Sequence, residues 1–107
     1  IDNNSVIIAE KTKILIGENC LIGVNFSCID SDFHALDPAR RNVSSNISVS
    51  RVSIGNNVFI GNNVAVLKGV KIGDNVTIGF GSVVTRSIPS DCVACGNPAI
   101  VVKKLKF

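Results

Sequence analysis

From Ile54 onward an aliphatic side chain returns at every sixth position, through Ile54, Ile60, Val66, Ile72, Ile78 and Val84. Ile, Val and Leu make up about one residue in three here, so chance would produce six such returns roughly once in a thousand trials. A second column runs through Val58, Val64, Val70, Val76, Ser82 and Ile88, which provides two inward positions per hexad. Between the columns stand Asn57, Asn63, Gly69, Asn75 and Gly81, residue types that enter a left-handed backbone conformation at least cost. Gly also follows the first aliphatic at Gly55, Gly61, Gly73 and Gly79, and the same pattern appears upstream in Ile16, Gly17, Asn19, Cys20 and in Ile22, Gly23, Asn25, Phe26. A period of six matches neither a helix nor a simple alternation. It predicts a short flat strand and then a tight turn, with three such units closing a triangular coil of about eighteen residues. The expected fold is therefore all-β, a parallel β-helix of hexapeptide repeats forming one domain over residues 1–107.

The two runs are out of phase, because Ile16 and Ile54 lie 38 positions apart, which is not a multiple of six. The interruption falls at about 30–48, in the sequence DSDFHALDPARRNVSSNIS, where the aliphatic columns disappear and Pro38 stands. This predicts one loop extruded from an otherwise regular solenoid, the place where such folds carry chemistry.

Composition narrows the class. The chain has 107 residues, and its 46% hydrophobic share rests on Ile, Val, Leu and Ala, with five Phe and no Tyr or Trp, which favours layered strands over an aromatic core. A net charge of +3 is too small to indicate a nucleic-acid partner. The cluster of Lys103, Lys104 and Lys106 suits either a phosphate or a solvated tail. Cys20, Cys28, Cys92 and Cys95 are too sparse for a disulfide scaffold, which points to a reducing cytoplasm. No apolar run approaches the roughly 18 residues of a membrane span, so no membrane insertion is expected. Position 1 is Ile and the first residues enter an existing pattern, from which an earlier natural start is expected.

The single histidine, His34, lies inside the interruption beside Asp30, Asp32, Asp37, Arg40 and Arg41. On these residues alone, a solvated surface role and a catalytic one both remain open. One histidine with scattered cysteines does not meet the ligand requirement of zinc, and no metal is expected. Cys92 and Cys95 form one CxxC, whose plainer role is to fill small spaces where the coil ends.

The stretch SDFHALDPARRN, followed by IGNNVFIGNNVAVLKGVKIGDNVTIGFGSVVTRSIPSDCVACGNPAIVVKK, resembles the sugar and antibiotic O-acetyltransferases of the hexapeptide family. These include the galactoside, maltose, xenobiotic and surface-polysaccharide enzymes, and the resemblance runs from about Ile16 to Lys104. It implies a left-handed coil, a homotrimer with the site between neighbouring subunits, acetyl-CoA as cosubstrate, and a sugar or polysaccharide acceptor. His34 matches the family's general base. Asn62, Gly79, Phe80, Thr85 and Arg86 match stretches that line the coenzyme groove, and Lys103 matches a basic position near its nucleotide end. Asp32 and Arg40 are the loop residues suited to orient the acceptor, although Asp32 could instead fix the imidazole tautomer and Arg40 could pair with Asp37. The plainer alternatives are turn geometry for Gly79, strand preference for Thr85, and solvation for Arg86 and Lys103. Phe80 departs from the family, where small residues are common, and Phe59 stands where relatives often carry Trp. The competing functions are N-acetylation of a nucleotide-linked amino sugar, serine O-acetylation, and a catalytically silent trimeric module.

Overall fold

A computed structural model of the chain describes the backbone of residues 6–8 and all of residues 13–29, 38 and 50–107. Among these, the strands are β1 (Val6–Ile8), β2 (Ile14–Ile16), β3 (Leu21–Ile22), β4 (Ser27–Ile29), β5 (Val52–Ile54), β6 (Phe59–Ile60), β7 (Ala65–Val66), β8 (Lys71–Ile72), β9 (Thr77–Ile78), β10 (Val83–Val84), β11 (Cys92–Gly96) and β12 (Ala99–Lys104). From β1 to β7 each strand pairs with the one three places on, and β9 then pairs with β11. The first sheet has order β1-β4-β7-β10, the second β2-β5-β8, and the third β12-β11-β9-β6-β3. The chain visits the three sheets in rotation with parallel pairing, which makes it a three-sided parallel β-helix. No helix among the described residues is long and apolar enough to cross a membrane.

Ser53 pairs with Lys71, Phe59 with Thr77, and Ala65 with Val83, so a regular coil takes 18 residues, as the six-residue period requires. All of Ile54, Ile60, Val66, Ile72, Ile78 and Val84 are buried, as are Val58, Val64, Val70, Val76, Ser82 and Ile88. These columns form one continuous core. Upstream the pattern is less covered: Phe26 and Cys28 are buried, but Ile14, Ile16, Cys20 and Ile22 are only partly so. The reason is position in the stack, because β4 is flanked by β1 while β2 and β3 are edge strands of their sheets.

Every expected left-handed position has that conformation: φ is 58° at Asn57, 60° at Asn63, 77° at Gly69, 56° at Asn75 and 72° at Gly81. Asn19 and Asn25 share it upstream, and Asp91 continues the series at 61°. The Asn side chains also stack. Asn25 Nδ2 donates to Asn63 Oδ1 at 2.8 Å, and Asn75 Nδ2 to Asp91 Oδ1 at 2.8 Å.

The Gly residues that follow the first aliphatics have another cause. None of Gly17, Gly55 or Gly73 has a positive φ. A Cβ on Gly55 would instead collide with Asp74 Oδ1 and with the Gly73 backbone in the next coil. That carboxylate oxygen is occupied, accepting the Asn56 N–H at 2.8 Å. The same device recurs where Asn56 Oδ1 accepts from Glu18 N–H and where Ser90 Oγ accepts from Asp74 N–H, each at 2.8 Å. A polar side chain of one coil thus satisfies an N–H of the coil above, and the residue before that N–H must lack a Cβ.

Two departures from the expected regularity concern the last coil. Ile88 pairs with Ile72, which lies 16 residues earlier, so it fills the first aliphatic column and not the second, where the period had placed it. The corner after β10 is two residues short because Ser87 Oγ takes over, accepting the Lys71 N–H at 2.9 Å. The chain then reverses, and β12 closes the third sheet antiparallel to β11 with a register shift between Val93 and Ala94.

Cys20, Cys28, Cys92 and Cys95 all carry reduced thiols. Cys92 fills the core where the coil ends, and its Sγ–H donates to the Pro89 carbonyl at 3.0 Å. Burial pushes its thiol above the ordinary value of 9.0, opposed by nearby Lys104 and reinforced by Asp91. A raised pKa in the folded state means that the stabilising contribution is fully present below the unfolded value and is lost as pH rises through the folded one. Denaturant midpoints measured from pH 7 to pH 11 are therefore expected to decline above about pH 9, with a shallower decline in Cys92→Ala. For the corners, Gly55→Ala should destabilise more than Gly81→Ala, although only Gly81 has a positive φ. A Cβ at Gly81 meets nothing within 4 Å, so that change should cost only about 1–2 kcal/mol of backbone strain, as chemical denaturation would measure.

Candidate active site

Three corners run along the prism, and the predicted site residues fall on two of them and on the terminal strand. The first lies between the third and first sheets, where Gly23-Val24, Gly61-Asn62 and Gly79-Phe80 succeed one another at the exits of β3, β6 and β9. The Asn62 side chain is anchored there, its Oδ1 accepting the Val24 N–H at 2.9 Å. Gly79 donates its N–H to the Ala94 carbonyl at 2.9 Å. Turn geometry does not explain this glycine, whose φ is not positive. A Cβ here would lie 2.8 Å from the Cβ of Cys95 in the next coil. Phe80 is 71% exposed and its backbone supports the coil above, since a Cβ on Gly61 would come within 2.9 Å of the Phe80 nitrogen. Asn62, Gly79 and Phe80 are thus brought together on one outward ridge.

Phe59, on the outer face of β6, is 52% exposed. It lies in register with Leu21 above and Thr77 below, and Leu21 is exposed as well. An apolar outer stripe therefore borders the same ridge, which water would not favour on an isolated surface.

Thr85 and Arg86 occupy the corner between the first and second sheets, at the far end of β10 from Phe80. Both are exposed. Arg86 bridges the shortened turn between Thr85 and Ser87, which holds its backbone at the apex. This is also the corner at which β4 leads toward β5. Ile14, Leu21 and Ser27 pair with Val52, Phe59 and Ala65, an offset of 38 residues in each case. Compared with the 18 of a regular coil, 20 additional residues are accommodated between Ile29 and Val52, and the register is regained without a slip. His34, Asp32 and Arg40 belong to that insertion and lie outside the described residues. Its returning end is fixed to the stack, because the Gly69 N–H donates to the Ser50 carbonyl at 3.3 Å.

Lys103 is exposed on β12, opposite Val93 of β11, and so belongs to the outer face of the third sheet. The structure separates it from Thr85 and Arg86, which stand at another corner. One residue that the sequence pattern passed over is Leu67, 42% exposed at the corner position 18 residues before Thr85. Its spacing from Thr85 was the available signal. A concavity of about 420 Å³ on the second sheet, lined by Lys71, Gly73, Ser87, Ile88, Pro89 and Ser90, contains none of the predicted residues. Among the described residues, no three His, Cys, Asp or Glu side chains are placed to hold a metal ion.

Comparison with known proteins agrees with this repeat architecture. The bacterial transferase hexapeptide family (six repeats) matches residues 51–86, and the hexapeptide repeat of succinyl-transferase matches residues 13–31. A galactoside O-acetyltransferase of Lactococcus lactis is 37% identical over 103 residues, which cover 96% of this chain and 49% of that protein. A hexapeptide-repeat acetyltransferase of Vibrio cholerae, solved with acetyl coenzyme A, superposes with a TM-score of 0.87 at 32% identity, covering 97% of this chain and 55% of that one. A maltose O-acetyltransferase of Clostridium difficile is 32% identical with a TM-score of 0.67, covering 97% of this chain and 72% of that one. The chain spans about half the length of the curated relatives it matches. With its coil, its corner columns and these matches in agreement, this chain belongs to the hexapeptide-repeat acetyltransferase family.

Proposed function

We propose that the protein is an acetyl-CoA-dependent O-acetyltransferase that acts on a sugar hydroxyl, with His34 as its general base. The observation that carries this reading is the 20-residue insertion between Ile29 and Val52, which contains the only histidine of the chain and departs from β4, on the first sheet beside the corner that bears Thr85 and Arg86. Relatives named for galactoside and maltose O-acetylation support the acceptor class, and the Vibrio cholerae protein with acetyl coenzyme A supports the donor. Acetylation of a surface polysaccharide is the role that this acceptor class suggests. The chain acts as a single left-handed β-helix domain of a cytoplasmic homotrimer, and each site lies between two subunits. The outward position of Asn62, Phe80, Thr85, Arg86 and Lys103 supports that arrangement, because one chain alone leaves these residues on ridges and faces.

The residues fit the donor's chemistry. Along the Gly61-Asn62 and Gly79-Phe80 corner the exposed Asn62 and Phe80 offer polar and apolar surface to a pantetheine arm, while Arg86 and Lys103 supply cations suited to phosphate. Acetyl-CoA supplies an acetyl group already activated as a thioester, so no cysteine nucleophile is required. His34 would accept the proton of the acceptor hydroxyl as its oxygen bonds to the acetyl carbon. The carbon–sulfur bond then breaks, and His34 returns that proton to the departing thiolate. Asp32 and Arg40 lie close enough in sequence to His34 to orient a polyol, or in the case of Asp32 to hold the imidazole tautomer.

Release of free thiol from acetyl-CoA, followed with a panel of mono- and oligosaccharides, antibiotics, serine and nucleotide-linked amino sugars, is expected to give turnover with a sugar. In His34→Ala, kcat should fall by a factor on the order of a hundred to ten thousand with the circular dichroism spectrum unchanged. Full turnover in that folded variant would remove His34 from the mechanism. Native mass spectrometry should record a mass three times that of the subunit, and a stable monomer with full activity would contradict a site shared between chains.

A further inference from the structure

Of the twelve inward positions in the two aliphatic columns, eleven carry hydrocarbon and one carries a hydroxyl, that of Ser82, which has no exposed surface. Its Oγ donates to the Gly79 carbonyl at 2.6 Å and accepts the Gly96 N–H at 3.1 Å. Those two partners belong to different parts of the molecule. Gly79 begins the corner that leads to Phe80, whereas Gly96 opens the turn through Asn97 and Pro98 that reverses the chain into β12.

The location follows from how the coil ends. In the regular coils the N–H groups of this corner find carbonyls of the coil above: Asn63 donates to Val24 and Gly81 to Asn62, each at 2.9 Å. The chain after Gly96 turns back instead of rounding the corner, and the Gly96 N–H donates to the Ser82 hydroxyl. A single buried oxygen therefore ties the reversing turn to the Gly79-Phe80 corner. A methyl or isopropyl group could fill the space as Val64 does one coil above, but could not make that tie. The backbone of Gly96, at φ 108°, has no side chain with which to fix the turn independently.

We propose that Ser82 is a positioning residue for the coenzyme: it holds the Gly96-Asn97-Pro98 turn against the Gly79-Phe80 corner and thereby sets the wall along which the pantetheine arm lies. This rests on the reading of that corner as the coenzyme groove. The hydroxyl itself is buried and acts through the two backbones it joins. Its loss should let the turn move relative to the corner, weakening acetyl-CoA binding while leaving the acceptor side and the proton transfer at His34 in place.

The test uses the assembled protein with Ser82→Ala, Ser82→Val and Ser82→Thr, the last retaining the hydroxyl in a side chain the size of Val. Initial rates would be measured against acetyl-CoA at saturating acceptor, alongside amide hydrogen exchange at Gly96. The expected result is a KM for acetyl-CoA raised about tenfold in the Ala and Val variants with kcat within about twofold, and a near-native KM in the Thr variant. Exchange at Gly96 should quicken in the first two and not in the third. A KM unchanged in Ser82→Ala, even with a lowered thermal midpoint, would reduce Ser82 to a packing residue, as would equal losses in the Ala and Thr variants. Should Ser82→Val not fold, Ser82→Ala, which adds no bulk, decides the question. Calorimetric titration of the unsubstituted protein with coenzyme A separates the two levels. Absence of binding would overturn the coenzyme reading and this role with it, whereas binding with an unaltered Ser82→Ala variant overturns only the role of Ser82.

Discussion

Parallel backbone pairing holds successive coils at the strand spacing of about 4.8 Å, and nearly every sequence preference in this protein follows from that distance. Along the sides it lets Ile and Val of one coil rest directly on those of the next, so that a column repeated every six residues becomes a continuous dry core. At the corners the same distance leaves no room for a Cβ beneath a neighbouring side chain. Gly55 lies over Asp74 and Gly73 over Ser90, and in each pair the lower side chain satisfies an N–H of the upper coil. Glycine and its polar partner are thus two halves of one contact between coils. The left-handed Asn positions form another set, whose side chains reach the equivalent residue of the next coil.

A stack held in this way tolerates an insertion without losing register: Ile16 pairs with Ile54 just as Ile54 pairs with Ile72, despite the 20 residues gained between β4 and β5. Both ends of the inserted segment are fixed to rigid coils, which limits where its single histidine can reach. The cost of closing such a segment grows only slowly with its length. The prism thereby supplies a fixed frame, and its outward corners leave Phe80, Thr85 and Arg86 exposed.

Much of this was legible from single residues. The inward columns could be read from Ile54 to Val84 because burial in a stack recurs at the period of the coil, and the left-handed turns from Asn57 to Gly81 because so few residue types accept that backbone. Ile88 shows where the reading stopped. Its period placed it beneath Val70, but Ser87 shortens the last corner by capping Lys71, and a side-chain hydrogen bond of that kind leaves no periodic trace. Asn62, Gly79 and Phe80, assigned through the family resemblance, share one corner because Asn62 and Phe80 lie one 18-residue coil apart, whereas the separation of Lys103 from Arg86 depends on the antiparallel return of β12.

By itself, then, the sequence determined the repeating side, its turn and the place of the interruption, because each is a local preference written many times over. Only the tertiary structure decided what lies against what: that Gly55 is required by Asp74 and not by its own φ, that the inserted segment leaves from the corner of Thr85 and Arg86, and that a lone hydroxyl at Ser82 joins the last corner to the reversing turn. These contacts join residues 14 to 38 positions apart, and the physical reason they were hidden is that a pairing across the stack depends on the summed length of everything between its partners.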